Sequence, residues 1–179
     1  MNLKEESMAI GVGDQIPDVV LKIMGPKGPE DISTSEIFDG KKVVLFAVPG
    51  AFTPTCTQFQ LPSFESSYNN FKEEGYEVWC ISVNDGFVMN AWQKELGIEK
   101  VKLIPDGNAM FTGLMNQLVT KTPNGFGLRS WRYACIIEEG VITKMFEEPG
   151  KVDDAEEDPY ERSYPENIIN WIRNGEEYT

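Results

Sequence analysis

The chain has 179 residues, 41% of them apolar and 25% charged, which suffices for one domain whose core needs neither a disulfide framework nor a metal. Sixteen Lys and Arg against 29 Asp and Glu leave a formal net charge of -13, so nucleic acid and anionic membrane surfaces are poor partners. Histidine is absent, which excludes a Ser-His-Asp triad, a Cys-His pair and any His-ligated metal site.

The N-terminus, MNLKEESMAIGVGD, lacks the basic start and apolar centre of a signal peptide. Residues 1–9 are expected to be a flexible lead into a single domain spanning 1–179. No run approaches the roughly 20 apolar residues of a membrane span. KVVLFAV at 42–48 predicts a buried strand, and the loop PGAFTPTC follows it. Leu61, Phe64, Tyr68 and Phe71 recur at helical spacing, on a helix that ends near Gly75 and that Pro62 should kink. EVWCISV at 77–83 predicts a second buried strand. Asn84 and Asp85 can cap a helix with an inner face of Val88, Ala91, Trp92 and Leu96 and a stop at Gly97. KLI at 102–104 predicts a third strand. After the Asp106–Gly107–Asn108 turn, Phe111, Leu114, Met115 and Leu118 form the next helical face.

RYACIIEEGVITKMF at 132–146 predicts a hairpin turning at Glu139–Gly140. Residues 150–163, with DDAEED at 153–158, read as an acidic surface loop; they lack the spacing and central glycine of an EF-hand. Ser163 and Glu166 have capping-box spacing ahead of a last helix carrying Ile168, Ile169 and Ile172. Alternating strands and helices imply parallel strands covered on both faces, and the hairpin adds antiparallel ones. The predicted fold is a three-layer α/β domain with a central mixed β-sheet.

Three cysteines, Cys56, Cys80 and Cys135, are too far apart for a CxxC pair, which excludes a thioredoxin-type dithiol and points to a reducing cytoplasm. Cys56 stands where a helix begins after a strand, and a helix N-terminus favours thiolate over thiol. A free cysteine has a pKa of about 8.5, which such a placement lowers by one to several units. Thr53, three residues earlier, is expected to donate its hydroxyl to the sulfur across one turn, while Pro49 and Pro54 stiffen the approach. Read alone, Cys56 is equally a small buried hydrophobe. Cys80 and Cys135 read as buried core thiols. Cys135 alternates to the face opposite Arg132.

PGAFTPTC and the residues through Leu61–Pro62 resemble the active-site loop of the peroxiredoxins, in their atypical type-II branch. SVNDGFVMNAW at 82–92 and GFGLRSWRYACII at 125–137 are similar to the same branch, the latter to its glutaredoxin-linked bacterial members. The resemblance covers most of 10–172 and implies a thioredoxin-like fold and a thiol peroxidase that needs no metal or organic cofactor. Cys56 would attack hydrogen peroxide or an alkyl hydroperoxide and become a sulfenic acid. Thr53 would orient thiolate and peroxide, Pro49 would shield the sulfur, and the positive charge of Arg132 would stabilise the charge developing at the breaking O–O bond.

Arg129 competes with Arg132 for that role; otherwise it is a surface cation or the partner of an acid. Gly125 and Gly127 let the loop before Arg132 fold tightly, or form an anion cradle. The type-II members that form an internal disulfide near the C-terminal end have a cysteine there, and this chain has none after Cys135. The expectation is therefore a one-cysteine cycle with glutathione and glutaredoxin, or thioredoxin, as reductant, and an antioxidant role in cell redox homeostasis. Cys80 is the alternative resolving thiol. The resemblance also implies a homodimer, with Phe52, Phe126 and Trp131 as apolar contacts. A disulfide reductase and a non-enzymatic redox-sensing or holdase module on the same fold are the alternative functions.

Overall fold

The computed structural model describes residues 10–178, so the expected flexible lead at 1–9 lies outside the described residues. The element order opens with a hairpin, β1 (Val20–Gly25) against β2 (Gly28–Ser33), and a short helix α1 (Thr34–Phe38). The Ser33 side chain caps α1, and Glu36 returns to the Ser33 N–H to close a capping box. Strand β3 (Lys42–Ala47) leads into the cysteine loop. A π-helical turn (Cys56–Gln60) then runs directly into α2 (Leu61–Ser66), followed by α3 (Tyr68–Glu73).

Strand β4 (Tyr76–Ser82), helix α4 (Gly86–Leu96), strand β5 (Lys102–Pro105) and helix α5 (Met110–Leu114) continue the alternation. A second hairpin joins β6 (Leu118–Lys121) to β7 (Gly127–Ser130), a third joins β8 (Tyr133–Glu138) to β9 (Val141–Glu147), and α6 (Pro165–Asn174) completes the order.

The central sheet has the order β5-β4-β3-β8-β9, with β3, β4 and β5 parallel and β8 and β9 antiparallel to their neighbours. Period-two alternation divides its side chains between two cores. Val44, Phe46, Val78, Cys80, Ala134 and Ile136 face one side, where α2, α3, α4 and α6 bring Phe64, Phe71, Trp92 and Ile168. Val43, Leu45, Trp79, Ile81 and Tyr133 face the other, where α1 and α5 bring Phe38 and Phe111. This is the expected three-layer α/β architecture. The β8–β9 hairpin turns where predicted: Glu139 and Gly140 both have positive φ, 52° and 81°, as a two-residue type I′ turn requires.

Several expected details differ. Pro62 has no N–H, and its ring would press on the carbonyl four residues back. The chain widens one turn ahead of it instead, and the Leu61 N–H donates to the Cys56 carbonyl in a π turn. In α4 the inner face is Met89 and Trp92, with Val88 and Leu96 packed beside them, while Ala91 is exposed. Asp85, not Asn84, caps that helix. The helix at 110 stops at Leu114, which is itself exposed, and Asn116 takes a positive φ of 57°. Leu118 therefore opens strand β6 rather than continuing the helix. Ser163 caps nothing: its hydroxyl is turned to Glu148, and α6 starts on Pro165 with Tyr164 as an unbonded N-cap.

Candidate active site

The cysteine loop leaves β3 at the carboxyl end of the parallel strands. Phe52 takes a φ of 63°, which turns the chain back toward the sheet, and Pro54 begins the helical run. Proline at that first position loses no hydrogen bond, because the first N–H groups of a helix are unpaired in any case. The Thr57 N–H donates to the Thr53 carbonyl at 3.0 Å, which places Cys56 in the first turn. Cys56 is fully buried and packs with Val48, Ala51 and Leu61. The loop is pinned from outside by Asn84, whose side-chain oxygen accepts the Ala51 N–H at 3.0 Å. That hydrogen bond is what Asn84 does in place of the expected cap.

Arg132 stands one residue before β8. The antiparallel register of β8 with β3 pairs Tyr133 with Ala47, so Arg132 comes level with the start of the cysteine loop. A guanidinium has five N–H donors, and here each has an acceptor. Nε donates to Gln60 Oε1 at 2.9 Å. Nη1 donates to Asp158 Oδ1 at 2.6 Å and to the Pro159 carbonyl at 2.9 Å. Nη2 donates to Asp158 Oδ2 at 3.1 Å and to Cys56 Sγ at 3.6 Å. The side chain is 2% exposed. Burial acts to lower its pKa, but Cys56 and Asp158 outweigh burial and hold it above the ordinary arginine value.

The other predicted residues are arranged around this pair. Pro49 is buried at the mouth of the loop, and its carbonyl accepts Arg129 Nη1 at 3.2 Å. Arg129 also donates through Nε to the Phe126 carbonyl. Of the two arginines, Arg132 is the one hydrogen-bonded to the sulfur; Arg129 props the loop's main chain and, among the described residues, has no acid as partner. The Thr53 hydroxyl does not donate to Cys56 as expected. It donates to the Gly50 carbonyl at 2.7 Å, because the turn at Phe52 swings that carbonyl over it. Its oxygen is left to accept.

Gly50 is glycine for a reason of space: a Cβ there would lie 2.4 Å from Arg129 Nη1 and 3.0 Å from Thr53 Cγ2. Gly50→Ala is expected to push Arg129 off the Pro49 carbonyl and slow the reaction of Cys56 with a small fluorogenic thiol reagent roughly three- to tenfold, with little change in melting temperature. Stopped-flow fluorescence and a thermal melt check both halves.

Cys80 shares the core of Cys56, and its pKa is held well above the ordinary value, first by burial and then by the neighbouring Cys56. Cys135 lies in the opposite core, where burial pushes its pKa up to about 12. Both are kept as thiols. Among the described residues no group of His, Cys, Asp and Glu could hold a metal ion. Of the apolar residues expected at a subunit contact, Phe52 is exposed, but Trp131 is buried, with its indole N–H donating to the Glu148 carbonyl. Phe126 is half-buried and packs its ring under the Arg129 guanidinium.

Sequence reasoning missed Gln60, Asp158, Lys121 and Tyr160. Gln60 had a findable signal, since it falls one wide turn after Cys56 on the same buried face. Asp158 had none, because nothing local separates it from the other acids of its loop. Lys121 is buried on β6 with its ammonium 5.4 Å from the Trp131 ring, and the Tyr160 ring lies 5.7 Å from the Arg132 guanidinium.

The Redoxin family model matches residues 11–162. A peroxiredoxin of Rhizobium etli is 47% identical over 174 residues, covering 97% of this chain and 97% of that protein. A peroxiredoxin of Synechocystis is 44% identical and covers 91% and 92%. Among solved structures, the Plasmodium falciparum antioxidant protein, described as a 1-Cys peroxiredoxin, superposes with a TM-score of 0.88 at 38% identity, covering 92% of this chain and 99% of that one. Reduced Prx3 of Vibrio vulnificus, solved in complex with hydrogen peroxide, gives a TM-score of 0.82 at 37% identity, covering 91% and 99%.

Proposed function

The chain belongs to the peroxiredoxins, thiol peroxidases of the Redoxin family, and from that premise we propose that Cys56 is the thiol that meets peroxide. The observation that carries this reading is the Arg132 guanidinium, held at every other N–H and turned with one of them to the Cys56 sulfur.

The Cys56 thiolate attacks one peroxide oxygen and the O–O bond breaks. The sulfur keeps that oxygen as a sulfenic acid, and the second oxygen leaves as hydroxide or alkoxide, which takes up a proton. Thr53 Oγ1, its own hydrogen committed to Gly50, accepts the peroxide O–H. Arg132 stabilises the negative charge that builds on the departing oxygen, and does so without reorganising because its position is already fixed. Pro49 roofs the loop and limits access, which suits hydrogen peroxide and small alkyl hydroperoxides. The hydrogen peroxide bound in the Vibrio structure supports that substrate class.

A fully buried Cys80, held as a thiol, favours a one-cysteine cycle. One external thiol condenses with the sulfenic acid and releases water, and a second frees Cys56 as the thiol. We assign glutathione with glutaredoxin, or thioredoxin, as that reductant. The one-cysteine description of the Plasmodium relative supports the cycle. Three free cysteines suit a reducing compartment, and the cytoplasm is the proposed location. Residues 10–178 are read as one domain that pairs into a homodimer. Phe52, Phe87 and Met110, each more than half exposed at the cysteine end of the sheet, supply apolar surface for the contact.

Coupled turnover of hydrogen peroxide and of an alkyl hydroperoxide, with each reductant in turn, tests the proposal. Cys80→Ser is expected to retain turnover within about twofold. Loss of turnover with every reductant, while Cys56 still oxidises, would replace the one-cysteine cycle by an internal disulfide.

A further inference from the structure

The acidic stretch at 153–158 presents itself as solvated charge, yet the fold turns one of its carboxylates inward. Both oxygens of Asp158 bridge Nη1 and Nη2 of Arg132, while 48% of the Asp158 side chain stays open to solvent. The loop that delivers it is fastened on either side. Before Asp158, the side chains of Asp153 and Asp154 accept the N–H groups of Thr120 and Thr122, and the Asp154 N–H donates to the Thr120 carbonyl. After it, the fully buried Glu148 carboxylate accepts the N–H groups of Glu161, Arg162 and Ser163 and the Ser163 hydroxyl. Between these anchors the Pro159 carbonyl takes a further Arg132 N–H.

We propose that Asp158 is a positioning residue for peroxide reduction at Cys56: it turns the guanidinium so that one Nη2 N–H faces the sulfur, and it draws part of that charge away from the sulfur. The inference rests on the reading of Cys56 as the thiol that meets peroxide. Its two effects oppose each other. Aim speeds O–O cleavage, because a fork held in one orientation loses no time or entropy finding the leaving oxygen. Sharing the charge leaves the thiolate less stabilised than a bare guanidinium would.

The other charged or titratable groups facing the sulfur are Arg129 from β7, Lys121 from β6 and Cys80 from β4, with Tyr160 beside Arg132. Among the described residues Asp158 is the carboxylate hydrogen-bonded to Arg132, so its removal changes the field at the sulfur in one known direction.

Asp158→Asn keeps the shape and removes the charge. Alkylation of Cys56 by iodoacetamide, followed across pH by mass spectrometry, reads the thiolate. Stopped-flow reaction with hydrogen peroxide above the alkylation midpoint reads the aim. The expected result is an alkylation midpoint at lower pH than in the wild type, because Arg132 no longer shares its charge with a carboxylate. The plateau rate with peroxide is expected to fall about tenfold. Asp158→Glu, which keeps the charge, should return the midpoint to the wild-type position. A loop contact that only stabilised the fold would lower the melting temperature and move neither reading. Midpoint and plateau both unchanged in Asp158→Asn overturn the inference. Wild-type Cys56 inert to peroxide would instead remove the reading beneath it, and the alkylation arm would still report on Asp158 by itself.

Discussion

Cys56→Ser is expected to abolish peroxide turnover, by at least about 10⁴-fold, while Cys80→Ser and Cys135→Ser leave it largely intact. A serine hydroxyl stays protonated near neutral pH and has neither the polarisability nor the leaving chemistry to take an oxygen from a peroxide. The substitution swaps one atom in a fully buried site, so the fold should lose only about 1 kcal/mol, with the new hydroxyl accepting from Arg132. The three cysteines differ in what faces their sulfur. Cys80 and Cys135 are as buried as Cys56 but, among the described residues, no cation donates to their sulfur, and burial holds both as thiols. Peroxide consumption by the three single variants, with melting temperatures alongside, checks the prediction. Turnover retained in Cys56→Ser would move the chemistry to another thiol.

Arg132→Lys is expected to lower kcat/KM for peroxide by about 10²- to 10³-fold, although the charge is conserved. Lysine has three donors on a flexible stem and cannot serve Gln60, Asp158, Pro159 and Cys56 together. Its ammonium is expected to settle on Asp158, the nearest anion, and leave the sulfur and the departing oxygen unsupported. Arg132→Met should cost a similar factor and also lower stability, because Gln60 and the inner face of Asp158 then lose their partner. Arg129→Lys, by comparison, removes a prop of the Pro49 carbonyl and is expected to cost far less. Steady-state kinetics on the three variants separate these roles. An Arg132→Lys enzyme within threefold of wild type would show that charge alone matters and that the committed donors of Arg132 do not.

The sheet was the most legible part of the chain. β3 and β4 are short β-branched runs buried on both faces, and Glu139–Gly140 between apolar segments announces the third hairpin. The hairpin of β6 and β7 was not legible. Its strands have four residues each, too few for alternation to show, and Leu118 fits the helical spacing of Phe111 and Met115 until the positive φ at Asn116 breaks it. The β1–β2 hairpin was missed because its buried face is sparse: Leu21 is its one buried residue, with Ile32 packed beside it against the core, and no run of alternation shows.

At the candidate site, sequence could nominate Cys56, Thr53 and Pro49 because they share one loop. It reached Arg132, 76 positions from Cys56, only through resemblance. Which of two nearby arginines donates to the sulfur is decided by the register of β8 on β3, a property of the assembled sheet. The same holds for Ser163: its capping-box spacing with Glu166 is real, but Glu148, brought in by β9, offers the hydroxyl a stronger acceptor. The Thr53 hydroxyl is a third case, since the direction of its hydrogen depends on how Phe52 turns the chain.

In the proposed reaction Cys56, and no other thiol, takes the oxygen from peroxide. Reduced protein treated with one equivalent of hydrogen peroxide, trapped with a sulfenic-acid reagent and mapped by mass spectrometry, tests it most directly. The expected result is a trapped adduct on Cys56 alone, with Cys80 and Cys135 recovered as thiols. Rapid peroxide consumption with the adduct on Cys80 or Cys135, or no oxidation of Cys56 at all, would contradict it.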